Sequence, residues 1–186
     1  MGENQVLAEA AREDIFFSGV SRAFYTYWES LAARCGGVPR RDDFDPAAIP
    51  ALLPHIFIVE KIKETGRFFF RLSGTGIREI MGSENTNHFL DELLHGEDLD
   101  AVGEIFDQVL TQGVCVRSIE GLTYSDRSYL RVEIVRLPLS RGEGERRLVV
   151  GCLSRIENGA SSGTLATVKD KQVLRIENDV LPRLAF

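Results

Sequence analysis

A glycine-rich turn directly follows a strand-like segment of this chain, and such a turn can bind phosphate. Residues 67–73 read as a strand, residues 74–76 are Gly-Thr-Gly, and residues 77–81 read as a short helix. A dinucleotide fingerprint needs a third glycine, but Glu79 stands at that position with a charge that opposes a phosphate. Tight turns join the following segments, so no crevice of a parallel sheet is expected. We interpret the two glycines as a sharp exit from the strand.

Residue types that bind metals or act as nucleophiles are scattered along the chain. The histidines are His55, His88 and His95, and the cysteines are Cys35, Cys115 and Cys152. No pair has the spacing of metal ligands, and no serine lies in a Gly-x-Ser-x-Gly elbow. We therefore expect no metal site and no catalytic residue. The odd number of widely spaced cysteines is typical of reduced thiols in a cytosol.

Charge and hydropathy restrict the partners of the chain. It has 186 residues, with 22 basic against 28 acidic side chains and a net charge of −6. A nucleic-acid-binding protein usually carries a basic face, so we expect no nucleic-acid partner. No apolar run approaches the roughly 18 residues of a membrane span. Residues 1–13 carry acidic side chains and no apolar run, so we expect no signal peptide and a cytoplasmic location.

The elements that would position these residues begin with an amphipathic helix in an N-terminal extension, residues 1–37. Its apolar residues recur at steps of three and four, and Gly36 ends it. We expect this helix to pack on the open face of a sheet and to contribute to a homodimer. The candidate interface residues are Val20, Phe24, Tyr27, Trp28 and Leu31.

A domain over residues 38–157 follows. Asp45 is expected to cap a short helix that starts at Pro46. Asp98 is expected to cap a longer helix that starts at Leu99 and ends at Gly113. The strand candidates are residues 56–62, 67–73, 114–124, 129–139 and 147–156. Strands joined by tight turns pair antiparallel. The pattern predicts an α+β fold with a five-stranded antiparallel sheet and helices on one face.

A small polar linker opens the last segment, residues 158–186. The apolar residues that follow it permit an amphipathic helix, and a strand or a disordered tail are the alternatives.

Three consecutive phenylalanines occupy the second strand. Side chains alternate between the two faces of a strand. We therefore expect Phe68, Phe70 and Leu72 to lie on one face, and we expect Phe69 and Arg71 to lie on the other. Core packing is the default interpretation, and the alternative is that some of these rings line a ligand cavity.

Arg71 lies inside this apolar strand. If it is buried it needs an acidic partner, which Asp43 or Asp45 could supply. The alternatives are an exposed edge position or an anchor for an anionic ligand.

Several short motifs together resemble one protein family. They are Tyr27-Trp28, Pro-Arg-Arg-Asp-Asp-Phe-Asp-Pro at 39–46, Ile-Pro-Ala-Leu-Leu-Pro-His at 49–55, Phe-Arg-Leu-Ser-Gly-Thr at 70–75 with Gly82, and Arg-Leu-Pro-Leu at 136–139. They are similar to the alphaproteobacterial single-domain branch of PAS domains, formerly a domain of unknown function. The resemblance covers about residues 24–157.

This resemblance implies two strands, small helices, a longer helix and three strands. PAS domains sense small molecules, light or redox state, and they mediate protein association. No flavin or haem is implied, because Cys115 and Cys152 lie in predicted strands and the longer helix has no axial histidine. An unknown small apolar or amphipathic ligand is the expected occupant of the cavity. The candidate cavity residues are Phe57, Phe70, Arg71, Leu72, Phe106, Leu130 and Val132.

The function expected from these features is that of a cytoplasmic sensory and regulatory module. It would act through a small ligand, a signalling-protein partner or its own homodimer. A ligand-free adaptor or dimerisation domain, with a core filled by its own side chains, is the alternative. A small enzyme is the third and least supported hypothesis.

Overall fold

A six-stranded antiparallel sheet separates two helical layers in the computed structural model, which describes residues 15–123, 129–142, 145–156 and 172–176. The strands are β1 (Ile56–Lys61), β2 (Phe68–Ser73), β3 (Cys115–Thr123), β4 (Tyr129–Ser140), β5 (Arg146–Arg155) and β6 (Gln172–Ile176), in the order β2-β1-β5-β4-β3-β6. The α-helices are α1 (Gly19–Cys35), α2 (Thr75–Met81), α3 (Leu90–Leu93) and α4 (Gly96–Gln112). The predicted α+β fold and its five predicted strands are confirmed, and β6 adds a sixth.

Each face of the sheet has its own hydrophobic core, because side chains alternate along the strands. Helix α1 covers what we call the outer face, where its apolar side chains meet Ile56, Val135 and Cys152. Helices α2 to α4 cover the inner face and pack on Val59 and Val149, among others. The predicted packing of the N-terminal helix on the sheet is therefore confirmed.

Helix α1 has well-defined ends. The Ser18 hydroxyl accepts a hydrogen bond from the Val20 amide at 3.2 Å, and Gly36 ends the helix with a left-handed φ of 69°. The predicted Asp45 cap is also present, since its carboxylate accepts from the Ala47 amide at 2.9 Å. It caps only the 3-10 turn Pro46–Ala48.

Helix α4 starts earlier than its sequence pattern predicts. It begins at Gly96 after His95, and the proposed cap Asp98 instead lies within its first turn, where a carboxylate favours the positive end of the helix dipole. The end at Gly113 agrees with the prediction.

Strand β2 contains a bulge that changes its predicted faces. Leu72 pairs with Ile58 and Phe70 with Val59, so Arg71 has no counterpart on β1. Phe68 and Phe70 remain on the inner face, but Leu72 shares the outer face with Ile58 and is exposed. The prediction that Leu72 shares a face with Phe68 and Phe70 was wrong because the extra residue reverses the alternation.

The Gly-Thr-Gly turn brings β2 and α2 against the 3-10 helix Pro50–His55. A Cβ atom on Gly74 would come closer than 3.0 Å to the Pro54 carbonyl oxygen, and one on Gly76 would lie 3.0 Å from the same atom. Gly74 has an ordinary φ of −67°. The glycines therefore serve a close approach of two backbones rather than an unusual turn conformation or a phosphate.

Strand β6 extends the sheet beyond β3. The two pair antiparallel from Cys115 opposite Ile176 to Ile119 opposite Gln172. The helix considered for residues 158–186 is thus wrong for residues 172–176, where pairing with an available sheet edge fixes an extended backbone. The rest of that segment, like residues 1–14, lies outside the described residues. None of the described helices combines the length and apolar character needed to span a membrane.

Candidate ligand cavity

A cavity of about 190 Å³ lies between the inner face of the sheet and helices α2 to α4. Three phenylalanine rings from β1, β2 and α4 form one wall of it. The ring centre of Phe57 lies 6.2 Å from that of Phe70 and 6.4 Å from that of Phe106. The rings are tilted against one another, which is the geometry that aromatic quadrupoles favour. Ile134 and Leu153 contribute further apolar surface from β4 and β5.

The position of Phe57 depends on a glycine in the neighbouring strand. Gly151 pairs with Phe57 across β1 and β5, and a Cβ atom there would come closer than 3.0 Å to three atoms of the Phe57 ring. The ring therefore lies directly over the glycine.

The lining of the cavity also carries a buried ion pair. Arg136 on β4 donates to Glu120 on β3 at 3.0 Å and to the Ser118 hydroxyl at 2.7 Å. Ser118 in turn donates to the same carboxylate oxygen of Glu120 at 2.8 Å. All three side chains are buried. Their mutual hydrogen bonds offset part of the cost of removing two charges from water, while the buried Arg136 Nε has no partner among the described residues.

The loop after α2 brings a buried amide to the cavity. Asn85 accepts a hydrogen bond from Ser83 at 3.1 Å, and both residues line the cavity. The cavity therefore combines an aromatic wall with a polar side that holds one ion pair and one amide.

The structure brings three of the seven predicted cavity residues together. Phe57, Phe70 and Phe106 line the cavity. Leu130 and Val132 belong to the same inner-face core but lie outside its lining. Arg71 and Leu72 do not reach it, because the β2 bulge directs Leu72 to the outer face and leaves Arg71 exposed.

Arg71 has a different partner from either predicted one. It donates to Glu60 on the adjacent strand at 2.6 Å, and its guanidinium lies 4.7 Å from the centre of the Phe69 ring. Glu60 also pairs with Arg141 at 3.1 Å. Because the Arg71 side chain is 46% exposed, the alternative of an exposed edge position is the correct one. Asp43 or Asp45 as its partner was wrong, since β1 places Glu60 nearer.

The predicted interface residues of α1 contact the sheet of their own chain. Phe24, Trp28 and Leu31 are almost completely buried, and the Trp28 indole donates to the Pro138 carbonyl at 2.9 Å. Val20 and Tyr27 are partly buried against the same core. While α1 is docked, its apolar face is occupied by the sheet and cannot also face a partner.

A buried acidic residue fixes the start of α1. Glu133 on β4 accepts hydrogen bonds from the backbone amides of Phe17 at 3.1 Å and Ser18 at 2.8 Å, and it pairs with Arg117 on β3. Its side chain is fully buried. This carboxylate satisfies amide groups that the first turn of a helix leaves unpaired and favours the positive end of its dipole.

Sequence reasoning missed the polar part of the cavity. Glu120 and Arg136 each stand in an apolar, alternating strand at positions that the period-two pattern assigns to the buried face. Two opposite charges at buried positions of neighbouring strands were the available signal. Only the register, which places Glu120 and Arg136 within reach of each other, establishes the pair.

The cysteines and histidines lie away from the cavity. Cys115 and Cys152 are buried on the outer face, and burial raises the pKa of both thiols above the ordinary value. Cys35 is exposed at the end of α1. A flavin photosensor needs a reactive cysteine against its ring, so this arrangement does not fit one. Among the described residues, no cluster of His, Cys, Asp and Glu could hold a metal ion.

About 60% of the chain is similar in fold to several solved structures. A light-oxygen-voltage (LOV) domain studied with a flavin analogue is 16% identical, over 60% of this chain and 84% of that one, with a TM-score of 0.45. The LOV protein of Rhodobacter sphaeroides is 11% identical over 59% and 66%, with a TM-score of 0.43. The VqmA dimer of Vibrio cholerae is 13% identical over 60% and 50%, with a TM-score of 0.44. At these values none of them indicates what this chain binds.

The family itself is established by sequence. No curated protein is significantly similar to the chain. A family model described as PAS domain matches residues 17–154, which include α1 and every residue that lines the cavity. The chain therefore belongs to the PAS domain family.

Proposed function

We propose that the chain is a sensory and regulatory module that binds a small amphipathic ligand in the inner-face cavity. The observation that carries this proposal is the cavity itself, whose lining combines three aromatic rings with a buried ion pair. Binding sites for small molecules combine an apolar lining with a few placed polar groups. No reaction is assigned to the site, since its described lining includes neither histidine nor cysteine.

Strand β4 offers a route from the cavity to α1. Ile134 lines the cavity, while its neighbour Glu133 holds the first amides of α1 on the other face of the sheet. A ligand that shifts β4 would change the contact between Glu133 and the helix. The output is then a change in α1 that a second copy of the chain or a signalling protein recognises.

The alternative is a ligand-free adaptor, and the size of the cavity favours it. Pockets for drug-sized ligands usually measure about 300–1,000 Å³, whereas this one measures about 190 Å³. Native mass spectrometry of the freshly purified chain tests the two functions. A small molecule that co-purifies supports the sensor, and an apo mass without thermal shifts across a metabolite panel supports the adaptor.

A cavity-filling variant ties any observed binding to this site. Val102→Phe adds a ring from α4 into the cavity, so it should abolish binding and leave the chain folded. Val114→Phe makes the same change outside the lining and should retain binding. Equal binding by both variants would contradict the proposed site. Light scattering at tens of micromolar protein tests the homodimer, which a monomeric mass would exclude.

A further inference from the structure

We infer that the cavity selects an uncharged ligand with a single ring and one hydrogen-bonding substituent, and that the ion pair of Arg136 and Glu120 enforces the absence of charge. This inference rests on the proposed ligand-binding function, and it names the chemical class of the ligand.

The size of the cavity limits the ligand to one ring. An apolar cavity of about 150 Å³ holds one benzene molecule. The cavity measured here, about 190 Å³, adds room for a few substituent atoms. Three fused rings, as in a flavin, exceed this volume unless the walls move.

The walls favour a flat, apolar ring. Phe57, Phe70 and Phe106 are tilted by 52° to 71° against one another, so they present both ring faces and ring edges to the space between them. An aromatic ligand can meet such walls in the edge-to-face contacts that aromatic groups prefer. Leu153 and Ile134 are among the residues that add further apolar surface.

The buried charges of the cavity cancel. Arg136 and Glu120 are of opposite sign and 3.0 Å apart, and both are buried. A charged ligand would find no unpaired opposite charge among the buried lining residues, and a buried charge without a partner is costly. A carboxylate on the ligand would compete with Glu120 for the Arg136 guanidinium and would place a second negative charge beside Glu120. The remaining charge in the lining, Asp98, is exposed and repels anions.

One polar group of the lining is available to a neutral substituent. The Arg136 Nε is buried and has no hydrogen-bond partner among the described residues, whereas the carbonyl oxygen of Asn85 already accepts from Ser83. A buried donor without an acceptor is costly, so a carbonyl, hydroxyl or ring-nitrogen acceptor on the ligand would stabilise the complex.

Three probes with the same ring and different charges test this inference on the full chain at pH 7. They are benzamide, which is neutral, benzoate, which is an anion, and benzamidine, which is a cation. We expect benzamide to bind in isothermal titration and to shift the melting temperature. Benzoate and benzamidine should bind at least tenfold more weakly. Benzoate or benzamidine binding as tightly as benzamide would overturn the inference.

The variant Glu120→Gln tests the role of the ion pair directly. It keeps an oxygen acceptor for Ser118 and Arg136 but leaves the arginine charge uncompensated. The affinity for benzoate relative to benzamide should therefore rise at least tenfold. Glu104→Gln, an exposed position of α4 outside the cavity, makes the same charge change and should leave the ratio unaltered. An unaltered ratio in Glu120→Gln would overturn the role of the ion pair.

Failure of this inference is distinguishable from failure of the proposed function. If none of the three probes binds but a larger metabolite does, and Val102→Phe abolishes its binding, the ligand class is wrong and the sensor function stands. If no compound binds to the wild-type chain, both are wrong.

Discussion

The aromatic ring of Phe57 lies directly over Gly151, so that any side chain at position 151 would overlap it. Since Phe57 also contacts the Phe70 and Phe106 rings, this one glycine sets the wall of the candidate cavity. The conformation of Gly151 within β5 is ordinary, and the lack of a Cβ atom is what the site requires.

Gly151→Ala should therefore destabilise the chain. Its methyl group displaces the Phe57 ring, and such overpacking typically costs about 1–3 kcal/mol of unfolding free energy. Urea unfolding measures the change. Gly121→Ala in β3 is the matched control, because a Cβ atom there meets open space, and its effect should stay within about 0.5 kcal/mol. Equal stability of Gly151→Ala and the wild type would show that Phe57 is not held by this contact.

Glu133→Gln should loosen α1. The variant leaves the Arg117 charge buried without its partner, and breaking a buried pair costs about 3–5 kcal/mol. The only tryptophan, Trp28, lies on α1 and is fully buried, so a red shift of its fluorescence reports separation of the helix from the sheet. Glu145→Gln, which removes an exposed partner of Arg147, should change stability by less than about 1 kcal/mol. A normal Trp28 spectrum and stability in Glu133→Gln would contradict this role.

The three cysteines should react at very different rates. Burial raises the pKa of the Cys115 and Cys152 thiols, so few thiolates form, and both side chains are inaccessible. Iodoacetamide at pH 8 should therefore modify the native chain once, at the exposed Cys35, and the urea-unfolded chain three times. Intact-mass spectrometry counts the adducts. Rapid double or triple modification of the native chain would contradict the burial of the two strand cysteines.

The pair of Arg67 and Asp91 should stabilise the chain in a pH-dependent way. Two hydrogen bonds from the guanidinium, at 2.8 and 2.7 Å, lower the pKa of the Asp91 carboxyl below its ordinary value. A carboxyl whose pKa is lower in the folded state stabilises above its unfolded pKa of about 3.9, and this contribution is lost as the pH falls through the folded value.

Asp91→Asn should accordingly have a lower urea midpoint than the wild type at pH 6–7, and the gap should shrink as the pH falls below about 4. Arg67→Gln should produce the same pH dependence, because it removes the other partner of the pair. A gap that stays constant from pH 7 to pH 3 would exclude this linkage.

The sequence alone determined the elements whose signals are local. Apolar steps of three and four produced α1, turn residues separated the strands, and tight connections required antiparallel pairing. Gly36 and Gly113 marked the ends of the two long helices correctly. Together with the short motifs around Tyr27-Trp28 and Phe70-Arg71, these signals were sufficient for the fold and for the family.

The tertiary structure decided everything that depends on register. The bulge at Arg71 moves Leu72 to the outer face, and Arg71 forms its ion pair with Glu60. No local sequence pattern locates a bulge. The register of β3 against β4 joins Glu120 to Arg136 inside the cavity and Arg117 to Glu133 outside it. Period-two alternation tells which residues share a face of one strand. Which residues of different strands touch is fixed only by pairing across the sheet, and the chemistry of this cavity consists of such pairs.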